Sequence, residues 1–132
     1  MSKQVVVDGA NVAYAERSQN GDPKVSNLVA MVKTLEQKGY EPIMILDASL
    51  HHEVDDPNQL EGLLEHPNCQ QAPAGTDADF FILETAERLD ARVVSNDEFE
   101  NRADEYPGIG ERRIPFMIVH GEVELYRENE ER

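Results

Sequence analysis

Acidic and amide side chains recur at four places where an apolar run stops or a helix begins: Asp8-Gly9-Ala10-Asn11, Asp47, Thr76-Asp77-Ala78-Asp79 and Ser95-Asn96-Asp97. Carboxylates brought close together repel, and each raises the pKa of the others unless something positive lies between them. A hard cation such as Mg2+ is the natural occupant, because it takes oxygen ligands from one or two carboxylates and keeps waters and phosphate oxygens for the rest of its shell. Beside such an ion water becomes a usable nucleophile, and charge growing on phosphoryl oxygens is neutralised. Residues of these types therefore suit hydrolysis of a phosphodiester without a thiol, a serine triad or an organic cofactor.

That chemistry requires a scaffold that delivers the four segments to one place. Gln4–Val7 is a short apolar run ending at Asp8-Gly9, the pattern of a buried parallel strand followed by a turn. From Lys24 to Lys38 the residues Val25, Leu28, Val29, Val32 and Leu35 recur at helical spacing, with Gly39 as the stop. Pro42–Leu46 is a second apolar run, so strand, helix and strand predict a right-handed crossover unit. Leu60, Leu63 and Leu64 predict a short helix after Pro57, followed by turns over Pro67–Gly75. A helix carrying Asp79, Ile82, Leu83, Ala86 and Leu89, opened by Thr76, leads to a strand at Arg92–Ser95. Further on, the pattern predicts a short helix over Glu98–Ala103, a loop at Pro107–Gly110, and strands at Ile114–Val119 and Glu122–Tyr126 around a turn at His120-Gly121. Pro115 gives the first of these strands an early or edge position. Alternating strands and helices predict an α/β, Rossmann-like three-layer α/β/α sandwich with a mostly parallel sheet. In such sheets ligands bind at the carboxyl ends of the strands, which is where the four acidic segments fall.

Each segment also has a plainer reading. Asp8-Gly9 serves as a strand-to-loop turn, Thr76 and Asp79 have capping-box spacing, and Asn96 or Asp97 caps a helix starting near Glu98, with Glu100 reaching back. Caps have no reason to gather at one edge of one sheet, and that coincidence is what favours a site. Both readings stand at this level.

A chain of 132 residues with 39% hydrophobic residues has the length of one layered domain. We place that domain at residues 1–127 and expect the charged end, 128–132, to fray. No apolar run approaches the ~20 residues needed to span a bilayer, and no signal-peptide pattern precedes Val5, so the protein is expected to be cytoplasmic. Cys69 stands alone, which excludes an intrachain disulfide and a CxxC site. The net charge of −15 arises from 27 acidic residues against 12 basic ones, spread along the chain. So self-repelling a surface, poor in lysine, fits a halophilic source and predicts stability that rises with salt. It would ordinarily argue against nucleic acid, but molar salt weakens that objection and a bound divalent cation supplies local positive charge.

The runs Val5-Val6-Val7-Asp8-Gly9-Ala10-Asn11-Val12-Ala13, Thr76-Asp77-Ala78-Asp79-Phe80-Phe81-Ile82 and Val93-Val94-Ser95-Asn96-Asp97 resemble the NYN domain of the PIN-like ribonuclease superfamily, in particular its Regnase-type branch. The likeness covers nearly the whole chain, and its sharpest parts are the VDGxNVA and VSND blocks in that order. The resemblance implies a PIN-like fold and an endoribonuclease using Mg2+ or Mn2+ in an acidic pocket. It implies Asp8, Asp79 and Asp97 as metal ligands, with Asp77 close enough to share the role of Asp79. Asn11 would steady the loop, and Ser95 and Asn96 would line the substrate. Where that branch often carries a further acid about one turn after the SND aspartate, this chain has Glu100 and Asn101, leaving Glu100 or Asp47 for a fourth carboxylate. No zinc finger is present, so RNA contacts would come from this domain, a homo-oligomer or an accessory RNA-binding partner.

Other residues carry plainer expectations. His51 and His52 fit a solvated loop, Arg112 and Arg113 fit surface salt bridges ahead of a phosphate grip, and Phe80 and Phe81 fit core or near-core packing ahead of a base-stacking platform. Beside the nuclease stands a non-enzymatic reading, an NYN-like module that binds RNA or protein. A nuclease acting on DNA or a phosphatase of similar topology follows, the latter disfavoured because no DxDx(T/V) loop succeeds the first strand.

Overall fold

The computed structural model describes residues 3–127, so the expectation for residues 128–132 lies outside the described residues. β1 (Lys3–Asp8) enters at the centre of a parallel sheet and runs directly into the short helix α1 (Gly9–Ala13). There follow α2 (Val25–Gln37), β2 (Tyr40–Leu46), a 3-10 turn at Ala48–His52, α3 (Pro57–Leu64) and β3 (Cys69–Gln71). The second half comprises α4 (Ala78–Leu89), β4 (Arg92–Val94), a 3-10 turn at Glu100–Arg102, α5 (Ile109–Arg112), β5 (Arg113–Ile114), β6 (Phe116–Val119) and β7 (Glu122–Leu125).

The five-stranded sheet has the order β3-β2-β1-β4-β5 and is parallel throughout. The chain builds outward from β1 to β2 and β3, then returns to the other side of β1 for β4 and β5. The order therefore reverses between β1 and β4, and the crevice beyond the carboxyl ends of those two strands is where such folds bind ligands. Both strands are apolar on both faces because each is covered twice. Val5, Val7, Met44, Leu46 and Val94 join α1, α2, Leu60 of α3 and the β6–β7 hairpin on one side. Val6, Ile45 and Val93 join Ile82, Leu83 and Ala86 of α4, with Phe99, Tyr106 and Ile109, on the other.

α2 forms where the 3.6-residue period predicts it, burying Val25, Leu28, Met31 and Leu35; Gly39, at φ +91, lets the chain leave the helix in a left-handed step. Asn27 is a polar member of its buried face. Its amide donates to the carbonyls of Val12, Ala13 and Glu16, tying α2 to the end of α1. No helix among the described residues is long and apolar enough to cross a membrane.

Four local expectations need correction. The stretch Pro67–Gly75 contains an edge strand, β3, whose Cys69, Gln70 and Gln71 pair with Met44, Ile45 and Leu46. The predicted strand Ile114–Val119 is two strands, since Pro115 removes a ladder donor between β5 in the parallel sheet and β6 in the antiparallel hairpin. The turn at His120-Gly121 is where expected, with both residues at positive φ. α5 begins inside the predicted loop Pro107–Gly110. The cap of α4 is Asp77 instead of Thr76, whose hydroxyl donates to the Pro73 carbonyl.

Gly9 marks the join between the central strand and the site. A Cβ there would lie 2.3 Å from Leu46 Cδ2 and 2.8 Å from the Ile45 carbonyl oxygen. The leucine methyl can move, but the backbone oxygen of a central strand cannot without breaking register. Gly9→Ala is therefore expected to destabilise the protein by about 1–3 kcal/mol, the usual penalty of overpacking. Urea denaturation would show it as a lower midpoint with unchanged slope; an unaltered midpoint would contradict this packing.

Candidate functional site

Asp8, at the carboxyl end of β1, is 6% exposed. Its Oδ1 accepts from the Asn11 backbone N–H at 3.4 Å as the cap of α1, and its Oδ2 accepts from Ser95 Oγ at 2.8 Å. Burial pushes the Asp8 carboxyl up to about 6, and the Asp79 and Asp97 charges add to that, while the bonds from Ser95 and Asn11 pull the other way.

Ser95 follows β4 and is fully buried. Its Oγ also accepts from the Asp97 backbone N–H at 3.0 Å, so its one proton must point at Asp8. Asp97 Oδ1 accepts from the Phe99 N–H at 2.8 Å. Phe99 adopts φ +53, a left-handed conformation unfavourable for a residue with a Cβ, and its ring is buried in the core behind α4. Burial of that ring offsets the strain and fixes the bend that carries Asp97.

Asn11 Oδ1 accepts from the Asn96 N–H at 2.8 Å. The Asn96 side chain accepts from the Phe116 N–H and donates to the Phe116 carbonyl, both at 2.9 Å, behaving as one rung of strand pairing to β6. Arg113 holds the Ser95 carbonyl at 3.1 Å. The segment Ser95–Asp97 is thus anchored to β1, α1, β5 and β6 together.

Asp79 lies half-buried in the first turn of α4. Its carboxyl is raised by burial, then by the charges of Asp97 and Asp77; Arg102 opposes these and Asp47 adds to them. Asp77, Asp79 and Asp97 line an open cleft of about 760 Å3 together with Asn96, Glu98, Glu100 and Arg102. Asp8 is not in its wall.

The other sequence-predicted residues have the following partners. Asp77, expected beside the metal, lines the same cleft as Asp79 and Asp97; it also caps α4 through the Asp79 N–H at 3.0 Å and is ion-paired to Arg102, which holds its carboxyl below the usual range. Of Ser95 and Asn96, expected to meet substrate, Ser95 is buried with its hydroxyl between Asp8 and the Asp97 N–H, while Asn96 lines the cleft with its side-chain amide paired to Phe116. Asp47 caps the 3-10 turn by accepting from the Ser49 N–H and Oγ, both at 2.9 Å. Glu100 lines the cleft, and so does Glu98, which sequence pattern did not single out. His51 pairs with Glu61, and Arg112 with Asp90. Phe80 is 45% exposed, against the expectation of core packing.

No three His, Cys, Asp or Glu side chains among the described residues form a ready-made metal cluster. The donor chemistry nevertheless fits a hard cation. Asp79 and Asp97 face an open cleft, the strongest charges acting on buried Asp8 are of its own sign, and Mg2+ ordinarily takes only one or two carboxylates directly.

Residues 1–131 match the model of the Zc3h12a-like ribonuclease NYN domain. No curated protein matches the chain. In fold it is similar to nuclear proteinaceous RNase P 2 (PRORP2) from Arabidopsis thaliana, with a TM-score of 0.74 at 21% identity over 94% of this chain and 29% of that chain. A second structure of nuclear protein-only RNase P 2 from the same plant gives a TM-score of 0.67 at 21% identity over 95% of this chain and 30% of that one. The chain therefore spans less than a third of the length of these relatives.

Proposed function

Because the chain belongs to the Zc3h12a-like ribonuclease NYN family, we propose that it is a metal-dependent endoribonuclease that hydrolyses RNA phosphodiester bonds in the cleft beside Asp79 and Asp97. The observation that supports this most is the relay from Asp8 through Ser95 to Asp97 at the reversal point of the sheet, with the Asp79 and Asp97 charges both acting on Asp8 there.

Asp79 and Asp97 would present carboxylate oxygens to Mg2+ or Mn2+, and Asp8 adds its charge from beneath. When bound, the cation supplies positive charge against the phosphoryl oxygens and makes water a nucleophile near neutral pH. The remaining work belongs to the chain. Asp8 accepts the Ser95 proton, which turns the Ser95 lone pair to the Asp97 N–H and aims the Asp97 carboxylate. Asn11 Oδ1 accepts from the Asn96 N–H, and the Asn96 side chain ties the loop to β6. These fixed bonds keep Asp97 in place before substrate arrives, which is the source of catalytic preorganisation. The acidic lining leaves the RNA backbone dependent on the cation, on Arg102 and on any accessory partner for its counter-charge.

A second reading, an NYN-like module without catalysis, is favoured by Asn101 in place of a further acid and by the lack of a closed carboxylate cluster among the described residues. Calorimetric titration of Mn2+ into the metal-free chain separates the two. Saturable binding is expected at pH 7.5, weakening as pH falls through about 6, because Asp8 then takes up a proton and the pocket loses charge. It should be lost in Asp79→Asn. A flat titration of folded protein would favour the binding module.

A further inference from the structure

Phe80 follows Asp79 in the first turn of α4 and leaves 45% of its surface in solvent. A single exposed aromatic is ordinary on a protein surface; the surroundings of this one are not. It meets the Phe81 ring edge to face, with centroids 6.3 Å apart at 84°. The Arg102 guanidinium carbon lies over the Phe80 ring at 6.0 Å from its centroid, on the outer edge of cation–π range, so a base would stack on the part of the ring left in solvent. Arg102 is in turn the one cationic side chain among the described residues that line the cleft, pinned by Asp77 and by Glu105 at 3.1 Å. A half-exposed aromatic ring, a preoriented guanidinium and the Asp79 carboxylate thus lie next to one another.

Building on the nuclease reading, we infer that Phe80 and Arg102 form the holding site for single-stranded RNA, a nucleobase stacking on the Phe80 ring and a phosphate oxygen accepting from Arg102. Stacking suits this protein for a physical reason. It needs no positive charge, every base offers a π-face, and it survives the salt that screens phosphate contacts. Arg102 has five N–H donors in a planar fork, and the two carboxylates that pin it leave others for a phosphate. With the base next to Asp79, the strand continues into the acidic cleft. A paired base inside a duplex has no free face to give, so the site selects unpaired RNA.

The test is fluorescence anisotropy with a labelled single-stranded RNA and the full chain carrying Asp97→Asn to prevent cleavage, at fixed KCl and Mn2+. Adding Phe80→Ala is expected to weaken binding about tenfold, and Phe80→Trp to restore it. The loss should disappear on an oligonucleotide abasic at the stacked position, and a fully paired duplex should bind more weakly than the single strand. Circular dichroism checks that each variant is folded, as an exposed side chain permits. Equal affinity of the Phe80→Ala protein and its parent for the intact strand would overturn the inference, as would a parent that binds no RNA. Cleavage by the Asp97-containing chain is scored separately. Phe80-dependent binding without cleavage would sink the nuclease reading and keep the holding site, and cleavage with a KM indifferent to Phe80→Ala would do the reverse.

Discussion

Asp8→Asn is expected to make the metal-free protein more stable at pH 7.5 while abolishing RNA cleavage. The folded-state pKa of Asp8, about 6, lies above its ordinary 3.8, so the native protein holds this proton more tightly than the unfolded chain does. Its contribution to stability is complete below about pH 4 and is lost as pH rises through about 6. At pH 7.5 the ionised, buried carboxylate costs roughly 3 kcal/mol relative to a neutral group, from about two pKa units at about 1.4 kcal/mol each. Asparagine removes that cost and can still accept from Ser95, although its NH2 then faces the Asn11 N–H. A net gain of about 1–3 kcal/mol remains. Urea denaturation in a chelator should give the variant the higher midpoint at pH 7.5 and bring the two proteins together near pH 4. Added Mn2+ should stabilise the parent by mass action and leave the variant nearly unmoved. A variant less stable than its parent in chelator at pH 7.5 would contradict the burial of an ionised group at this position.

Asp97→Asn should separate charge from structure in the opposite way. The amide oxygen still accepts from the Phe99 N–H, and the Ser95 bond to the backbone of residue 97 is untouched, so stability should change little. Activity should fall by about a thousandfold or more, since loss of a cation-holding charge removes several kcal/mol of transition-state stabilisation at about 1.4 kcal/mol per decade. Removing one like charge should also let the Asp8 pKa fall, because Asp97 is among the groups that raise it. An NMR titration of the Asp8 carboxyl, compared with the parent, checks that coupling independently of turnover.

What could be read from the sequence follows from how strongly each element marks the chain. Val5-Val6-Val7 and the run to Leu46 are legible because strands covered on both faces must be apolar at every position. α2 is legible because one buried face repeats every 3.6 residues and Gly39 ends it. β3 leaves no such mark, since an edge strand of Cys69, Gln70 and Gln71 is held by backbone pairing to β2 and two of its three side chains face water. Five-residue α1 and four-residue α5 are too short to show a period.

The same distinction runs through the site. That Asp8, Asp79 and Asp97 come to one edge is already contained in the alternation of strands and helices. The direction of each side chain is not. Nothing local to Asp77 announces Arg102, 25 residues later, and a serine or asparagine type suits a substrate contact as well as a buried relay. Ser95 faces Asp8 across the sheet and Asn96 faces β6, partners 87 and 20 residues away that only tertiary packing brings together. Phe80 illustrates the converse: its apolar type suggests a core, but α4 turns it outward beside Arg102.

The most direct test of the nuclease reading is cleavage of labelled single-stranded RNA in high KCl, comparing the parent with Mn2+, the parent with chelator, and the Asp97→Asn variant with Mn2+ from one preparation. The reading predicts fragments only from the parent with Mn2+. Fragments of equal yield with the chelator or from the variant, or none from folded parent with Mn2+, would contradict it.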